Sequence, residues 1–404
     1  MSDIITTTTD HYEVLICGGG TGGISVAARL RLADHPPSVG IIEPSEKHYY
    51  QPLWTLCGAG VFPPEESERD EGDFIPAGAD WINDRVKAFD PDHKAVELES
   101  GRRVTYDRLV VAMGIQINWG GIKGLEEALA DQTSGVSSNY SFTTCGQTFE
   151  NFKKTKSGRA LFTEPVTGVK CGGAPQKILY LAEDYFRKEG LRDKVEVMFA
   201  SGKGNHFGCP HYEPELIKLC DERGIVRKYK TNLVEIRKDA KEAVFHDVDS
   251  GDESILKYDM LHAVPPMGPL DVLKHSPLGD EKGWVDVDKH TLRHKTYEGV
   301  YALGDCSNLP TSKTGAAIRK QVPVLVDSLL ADRSGGTSKA SYDGYTSCPL
   351  VTGYGRLILA EFDYDKQPKE SFPFDQRKER YSMYALKAYG LPRMYWHGML
   401  RGRM

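Results

Sequence analysis

The sequence predicts an α/β fold of two tandem Rossmann-like domains, the first split by the second, followed by a C-terminal segment of strand and helix. Three observations predict it. A β-rich run, Tyr12 to Cys17, leads at once into a cluster of glycines and an Ala-rich helical stretch, Ile24 to Leu32. A second apolar run, Val39 to Ile42, ends in the acid Glu43. A third, Gly299 to Leu303, ends in Gly304-Asp305 far down the chain, so another unit must interrupt the first.

The glycines carry the first chemistry. Gly18, Gly20 and Gly23 fit G-x-G-x-x-G, with Thr21 and Gly22 inside the turn. The first glycine permits the tight turn, the second lets backbone N–H groups approach a pyrophosphate, and the third allows close helix–strand packing. The anion then sits on the helix N-terminus, where unpaired donors and the dipole favour it. Glu43, about 20 residues beyond the last glycine, is placed to hold ribose hydroxyls. The Gly304-Asp305 strand end resembles the second FAD motif of flavoproteins with two dinucleotide domains, where the carboxylate serves the ribityl or pyrophosphate region. Together the two motifs point to FAD, with Asp305 among its holders.

Between the motifs, Arg108 to Gly114 reads as the strand on which the chain leaves the first domain. Val195 to Ala200, Asn232 to Arg237 and Ala243 to His246 read as further strands, and Gln176 to Arg187 as a helix with Ile178, Leu181, Ala182 and Tyr185 on one face. The expected division is 10–118 with 291–345 for the FAD-type domain, 119–290 for the second domain and 346–404 for the C-terminal segment. Relatives that use NADH carry a second glycine fingerprint in that middle domain. Here the equivalent stretch, Pro165 to Pro175, holds Cys171 instead, and Gly202-Lys203-Gly204 lacks a following helix and third glycine. NAD binding is therefore not expected.

A net charge of -6 argues against a nucleic-acid partner. Eight cysteines are too few for a secreted disulfide scaffold, and no C-x-x-C pair offers zinc spacing, so no metal is expected. No window approaches 18 consecutive apolar residues. The opening MSDIITTTTD has neither positive charge nor an apolar run, which predicts a bacterial chain or a processed one.

The stretches HYEVLICGGGTGG, EPSEKHYYQPLWTLCGAG, VKCGGAPQK, VDVDKHTL, GDCSNLPTSKT and YDGYTSCPLVTGYGRLILAEFDY span nearly the whole chain in order. In them the sequence resembles the eukaryotic-type sulfide:quinone oxidoreductases, a type also found in bacteria. The resemblance implies that Cys171 and Cys348 form a redox-active disulfide at the flavin. Hydrosulfide would attack Cys348, leaving a persulfide there and a thiolate at Cys171 facing the flavin, which a quinone re-oxidises. The persulfide sulfur would pass to glutathione, sulfite, cyanide or a second sulfide. Pro349 would fix a turn that presents Cys348. The resemblance also implies Gln51 at the flavin edge, Val86 at the adenine side, and Lys313 with Gly315 at the pyrimidine end, where an ammonium offsets negative charge at N1. The other six cysteines read as small buried hydrophobes.

Where the family has a small apolar helix after Ser-Lys-Thr, this chain carries Arg319-Lys320. At the C-terminus Leu391, Tyr395 and Met399 fall on one helical face, and Arg393, His397 and Arg401 on the other. The pattern predicts a helix lying on a bacterial or mitochondrial inner membrane; its fourteen residues reach about 21 Å, short of the ~30 Å needed to cross. Phe372, Phe374 and Tyr381 are candidates for stacking a quinone ring. A homo-oligomer is compatible with these features. Two other functions stay open on the residues alone: an NADH:quinone oxidoreductase on the same fold, and a non-catalytic FAD-binding persulfide carrier.

Overall fold

The computed structural model describes residues 10–404. The opening stretch, discussed above for targeting signals, lies outside them. Strand β1 (Asp10–Cys17) runs parallel between β2 (Val39–Ile42) and β3 (Arg103–Val111), with Ile16 opposite Ile41 on one side and Val110 on the other. Val14 to Cys17 are fully buried, as expected of a parallel strand covered on both faces. Helix α1 (Thr21–Leu30) starts at the glycine turn. The strand Val300–Ala302 pairs with β3, so the distant Gly-Asp motif joins the same seven-stranded sheet.

A second, five-stranded parallel sheet is centred on β4 (Gly158–Glu164) and β5 (Val195–Ser201). Helix α2 (Ala174–Lys188) crosses between these strands and is buried on every side from Pro175 to Asp184, Ile178, Leu181 and Ala182 included, while Tyr185 is half-buried. The two strands read from sequence beyond them, Thr231–Arg237 and Glu242–Asp247, form an antiparallel meander with a third, Glu253–Lys257, that was not read. Helix α3 (Gly315–Arg333) follows, capped by the Thr314 hydroxyl, which accepts from the Ala317 N–H. Then come the two-stranded sheet of β6 (Thr346–Gly353) and β7 (Arg356–Phe362), and α4 (Leu391–His397).

Two expectations fail here. Cys348 does not sit in a proline turn: it lies within β6, paired with Ala360, and Pro349 is tolerated because both strands of a two-stranded sheet are edges. The C-terminal helix does not offer its apolar face outward. Tyr395, Trp396, Met399 and Leu400 are buried against the protein, while Arg393, His397 and Arg401 face water. The amphipathic pattern is satisfied by docking. No helix among the described residues is long and apolar enough to cross a membrane.

Candidate active site

The C-terminal ends of β1 and β2, the N-termini of α1 and α3, and the segment 391–404 enclose a cavity of about 630 Å³. Gly18, Gly20, Thr21, Gly22, Glu43 and Gln51 line it, as do Asp305, Lys313 and Gly315. Each glycine of the fingerprint has its own reason. Gly18 has φ +104, and a Cβ there would lie 2.6 Å from the Ala112 carbonyl oxygen. A Cβ on Gly23 would collide with the Gly18 carbonyl, whereas one on Gly20 would meet open space in the cavity. Gly23 therefore acts by packing.

Glu43 accepts hydrogen bonds from the Gly19 and Ser45 N–H groups, each at 2.8 Å, while burial raises its pKa. Burial likewise raises that of Asp305, against the opposing pull of Lys313 and Lys170. Lys313 donates to the backbone carbonyls of Asp305 and Ser307 at 2.6 and 3.0 Å, and lies 4.0 Å from the Trp284 ring centre. Burial lowers its pKa. These residues fit FAD. An open glycine and a helix N-terminus suit the pyrophosphate, two carboxylates suit hydroxyl donors, and a buried ammonium with the α3 N-terminus suits a ring that gains negative charge. Val86 is buried in the strand Val86–Asp90 and does not line the cavity.

At the cavity wall Cys171 Sγ stands 3.5 Å from Cys348 Sγ. Cys171 adopts φ +56, a left-handed conformation costly for a residue with a side chain. It is followed by glycines, and a Cβ on Gly173 would lie 2.6 Å from Cys348 Sγ. The middle domain's glycine turn is thus replaced by a loop that delivers a thiol. Lys177, nearly fully buried on α2, donates to Cys171 Sγ at 3.1 Å. The Cys171 thiol is held well below its ordinary value, first by the hydrogen bond from Cys348 and then, against burial, by Lys177 and Lys387. Cys348 is correspondingly pushed up. Lys387 is itself pushed down to about 7 by burial and by the neighbouring Lys177. It sits in a π-helical turn, Leu386–Gly390, and donates to the Pro52 carbonyl at 2.7 Å.

Sequence reasoning missed Lys177 and Lys387. Lys177 ends the motif VKCGGAPQK and falls one residue before Ile178 on a buried helix, a charged residue where the apolar face asks for none. Lys387 carries no comparable local signal. Of the quinone candidates, Phe372 lines the cavity, and Phe374 stacks on it at 5.3 Å without reaching the cavity. Tyr381 is 70% exposed and lies outside it. Arg319 is at the cavity wall, while Lys320 points over the Tyr345 ring at 5.6 Å. The remaining six cysteines are buried.

An α/β chain built on two main sheets, with a glycine-turn cavity and a dithiol at its edge, is a flavoprotein of the disulfide-reductase class. Consistent with that class, residues 12–147 match the family model described as pyridine nucleotide-disulphide oxidoreductase. The chain is 51% identical over 394 residues to the mitochondrial sulfide:quinone oxidoreductase of Dictyostelium discoideum, covering 97% of this chain and 86% of that one. It is 49% identical to the protein of the same name from Mus musculus, covering 98% and 88%. The sulfide:quinone oxidoreductase of Aquifex aeolicus shares the fold with a TM-score of 0.82 at 18% identity, covering 98% of this chain and 92% of the other. The chain belongs to the sulfide:quinone oxidoreductase family, FAD-dependent enzymes that couple sulfide oxidation to quinone reduction.

Proposed function

We propose that sulfide is oxidised at Cys171 and Cys348, with the sulfane sulfur carried on Cys348. The observation that supports this most is the 3.5 Å approach of the two sulfurs beside Lys177 at the edge of the FAD cavity. With the pair oxidised, hydrosulfide attacks Cys348 Sγ: a new S–S bond forms there, the Cys171–Cys348 bond breaks, and the electron pair stays on Cys171 as thiolate. Lys177, whose proton is held tightly by the thiolates against the pull of burial, makes Cys171 the better leaving group. A nucleophilic acceptor then takes the outer sulfur and leaves a thiolate on Cys348. FAD, when bound, supplies the two-electron acceptor for closing the pair again and passes the electrons to a quinone.

The acceptor's route follows a second cavity of about 310 Å³, at the ends of β4 and β5 where nicotinamide-using relatives place their nucleotide. Lys203, Lys313 and Lys366 line it, which favours anionic acceptors such as sulfite or glutathione. Phe372, on the wall of the FAD cavity, supports quinone access there. The exposed Tyr381 and Tyr389 support a face turned to a membrane surface. Anaerobic addition of sulfide to oxidised enzyme, rapid alkylation and mass spectrometry test the sulfur assignment. One added sulfur on the Cys348 peptide supports it; one on the Cys171 peptide reverses the roles.

A further inference from the structure

We infer that Tyr395 is a positioning residue for the cofactor: it fastens the segment 391–404 to the glycine turn, and that segment holds FAD in its cavity. Three buried groups and the half-buried Thr21 form one chain of hydrogen bonds across three distant parts of the sequence. Glu71 Oε2 lies 2.8 Å from His48 Nδ1, His48 Nε2 lies 2.5 Å from the Tyr395 hydroxyl, and that hydroxyl lies 2.8 Å from Thr21 Oγ1. Glu71, His48 and Tyr395 are 1%, 4% and 6% exposed, so none has water to fall back on.

The carboxylate fixes the direction. Glu71 holds the proton on His48 Nδ1, which leaves Nε2 to accept from the Tyr395 O–H. The Tyr395 oxygen then accepts from Thr21, whose hydroxyl is thereby committed to the tail. The Gly18 and Gly19 N–H groups are taken by the Ile42 carbonyl and Glu43, which leaves those at the α1 N-terminus for the pyrophosphate.

Packing reinforces the attachment. The Tyr395 ring meets Tyr50 with centroids 4.6 Å apart, and Trp396 meets Phe74 at 4.9 Å. Gly402, at φ +71, lies so close to α1 that a Cβ would come within 2.7 Å of the Ala28 and Arg29 backbone. Leu391, Met394, Tyr395, Met399 and Met404 line the same cavity as Gly18 and Gly20. One wall of the FAD site is therefore the tail, and the tail is tied to the helix whose N-terminus meets the pyrophosphate. This inference needs only FAD binding, so it stands apart from the sulfur chemistry proposed above.

The test is the rate at which diluted holoenzyme releases FAD, followed by flavin fluorescence, for Tyr395→Phe, Thr21→Val and the double variant. The melting temperature of each apoprotein is measured alongside. Breaking the part-buried Tyr395–Thr21 contact is expected to speed release about tenfold in either single variant. The double variant should release no faster than the quicker single, because both remove one shared contact. Gly402→Ala, which loosens the tail without touching the hydrogen bonds, should also speed release. A lowered apoprotein melting temperature with release within about twofold of the parent assigns Tyr395 a merely structural role and overturns the inference. Fully additive effects of Tyr395→Phe and Thr21→Val overturn it too, as does unchanged release in Gly402→Ala. If Tyr395→Phe does not fold, Thr21→Val with Gly402→Ala gives the same reading.

Discussion

Replacing Lys177 by Met removes the ammonium that donates to Cys171 Sγ at 3.1 Å while keeping most of the side chain's bulk on α2. A hydrogen bond to a charged partner contributes about 1.5–3 kcal/mol. At 1.36 kcal/mol per pKa unit that corresponds to an upward shift of about 1–2 units for the thiolate. Part of it is returned by Lys387: its proton affinity is depressed partly by Lys177, so without Lys177 it stays protonated to higher pH beside the same sulfurs. The hydrogen bond from Cys348, the largest support of the Cys171 thiolate, also remains. The net shift is thus about one unit upward. The assay is the pH dependence of iodoacetamide labelling at Cys171 in the reduced enzyme, read by peptide mass spectrometry. Below the midpoint, labelling in Lys177→Met should be about tenfold slower at any fixed pH. A midpoint within about 0.3 unit of the parent would mean that the ammonium does not stabilise the thiolate, and the leaving-group argument would fall.

Two further outcomes are expected. Gly173→Ala puts a Cβ 2.6 Å from Cys348 Sγ and should force the two sulfurs apart, at a stability cost of about 1–3 kcal/mol; flavin absorbance should persist while sulfide turnover is lost, and full turnover would contradict the close-pair geometry. Glu164 is buried at the second cavity and its carboxyl is raised to about 7, chiefly by desolvation. Because the folded chain holds this proton more tightly than the unfolded one, the penalty is absent below the ordinary carboxylate range. It grows as pH rises toward 7 and is complete above it. Glu164→Gln should therefore gain up to about 3 kcal/mol in denaturant titrations at pH 8 and little near pH 4.5, and an equal gain at both pH values would refute the assignment.

The sequence made the nucleotide site legible because its parts are local. The turn at Gly18–Gly23 and the acid Glu43 obey steric rules that a few consecutive residues express, and Gly18, Gly20, Thr21, Gly22 and Glu43 line the cavity while Gly23 serves packing. The Cys171–Cys348 pair was legible only through family resemblance, since nothing between two thiols 177 residues apart announces their approach. Lys387 and the Glu71–His48–Tyr395–Thr21 chain were not legible, because each joins segments that only the tertiary fold brings together. The tail misled for a related reason. An amphipathic face reads the same whether it meets lipid or protein, and here Tyr395 and Met399 meet α1 and the cavity. Val86, expected at the adenine side, lies in a paired strand with its side chain buried.

The most direct test of sulfide oxidation at this dithiol is anaerobic titration of the oxidised flavoprotein with sulfide, followed by a short-chain quinone, in the parent and in Cys171→Ser and Cys348→Ser. Sulfide should bleach the flavin of the parent, quinone should restore it, and neither serine variant should turn over. A flavin that sulfide leaves unchanged, but that NADH bleaches, would contradict the assignment of both the cysteine pair and the electron donor.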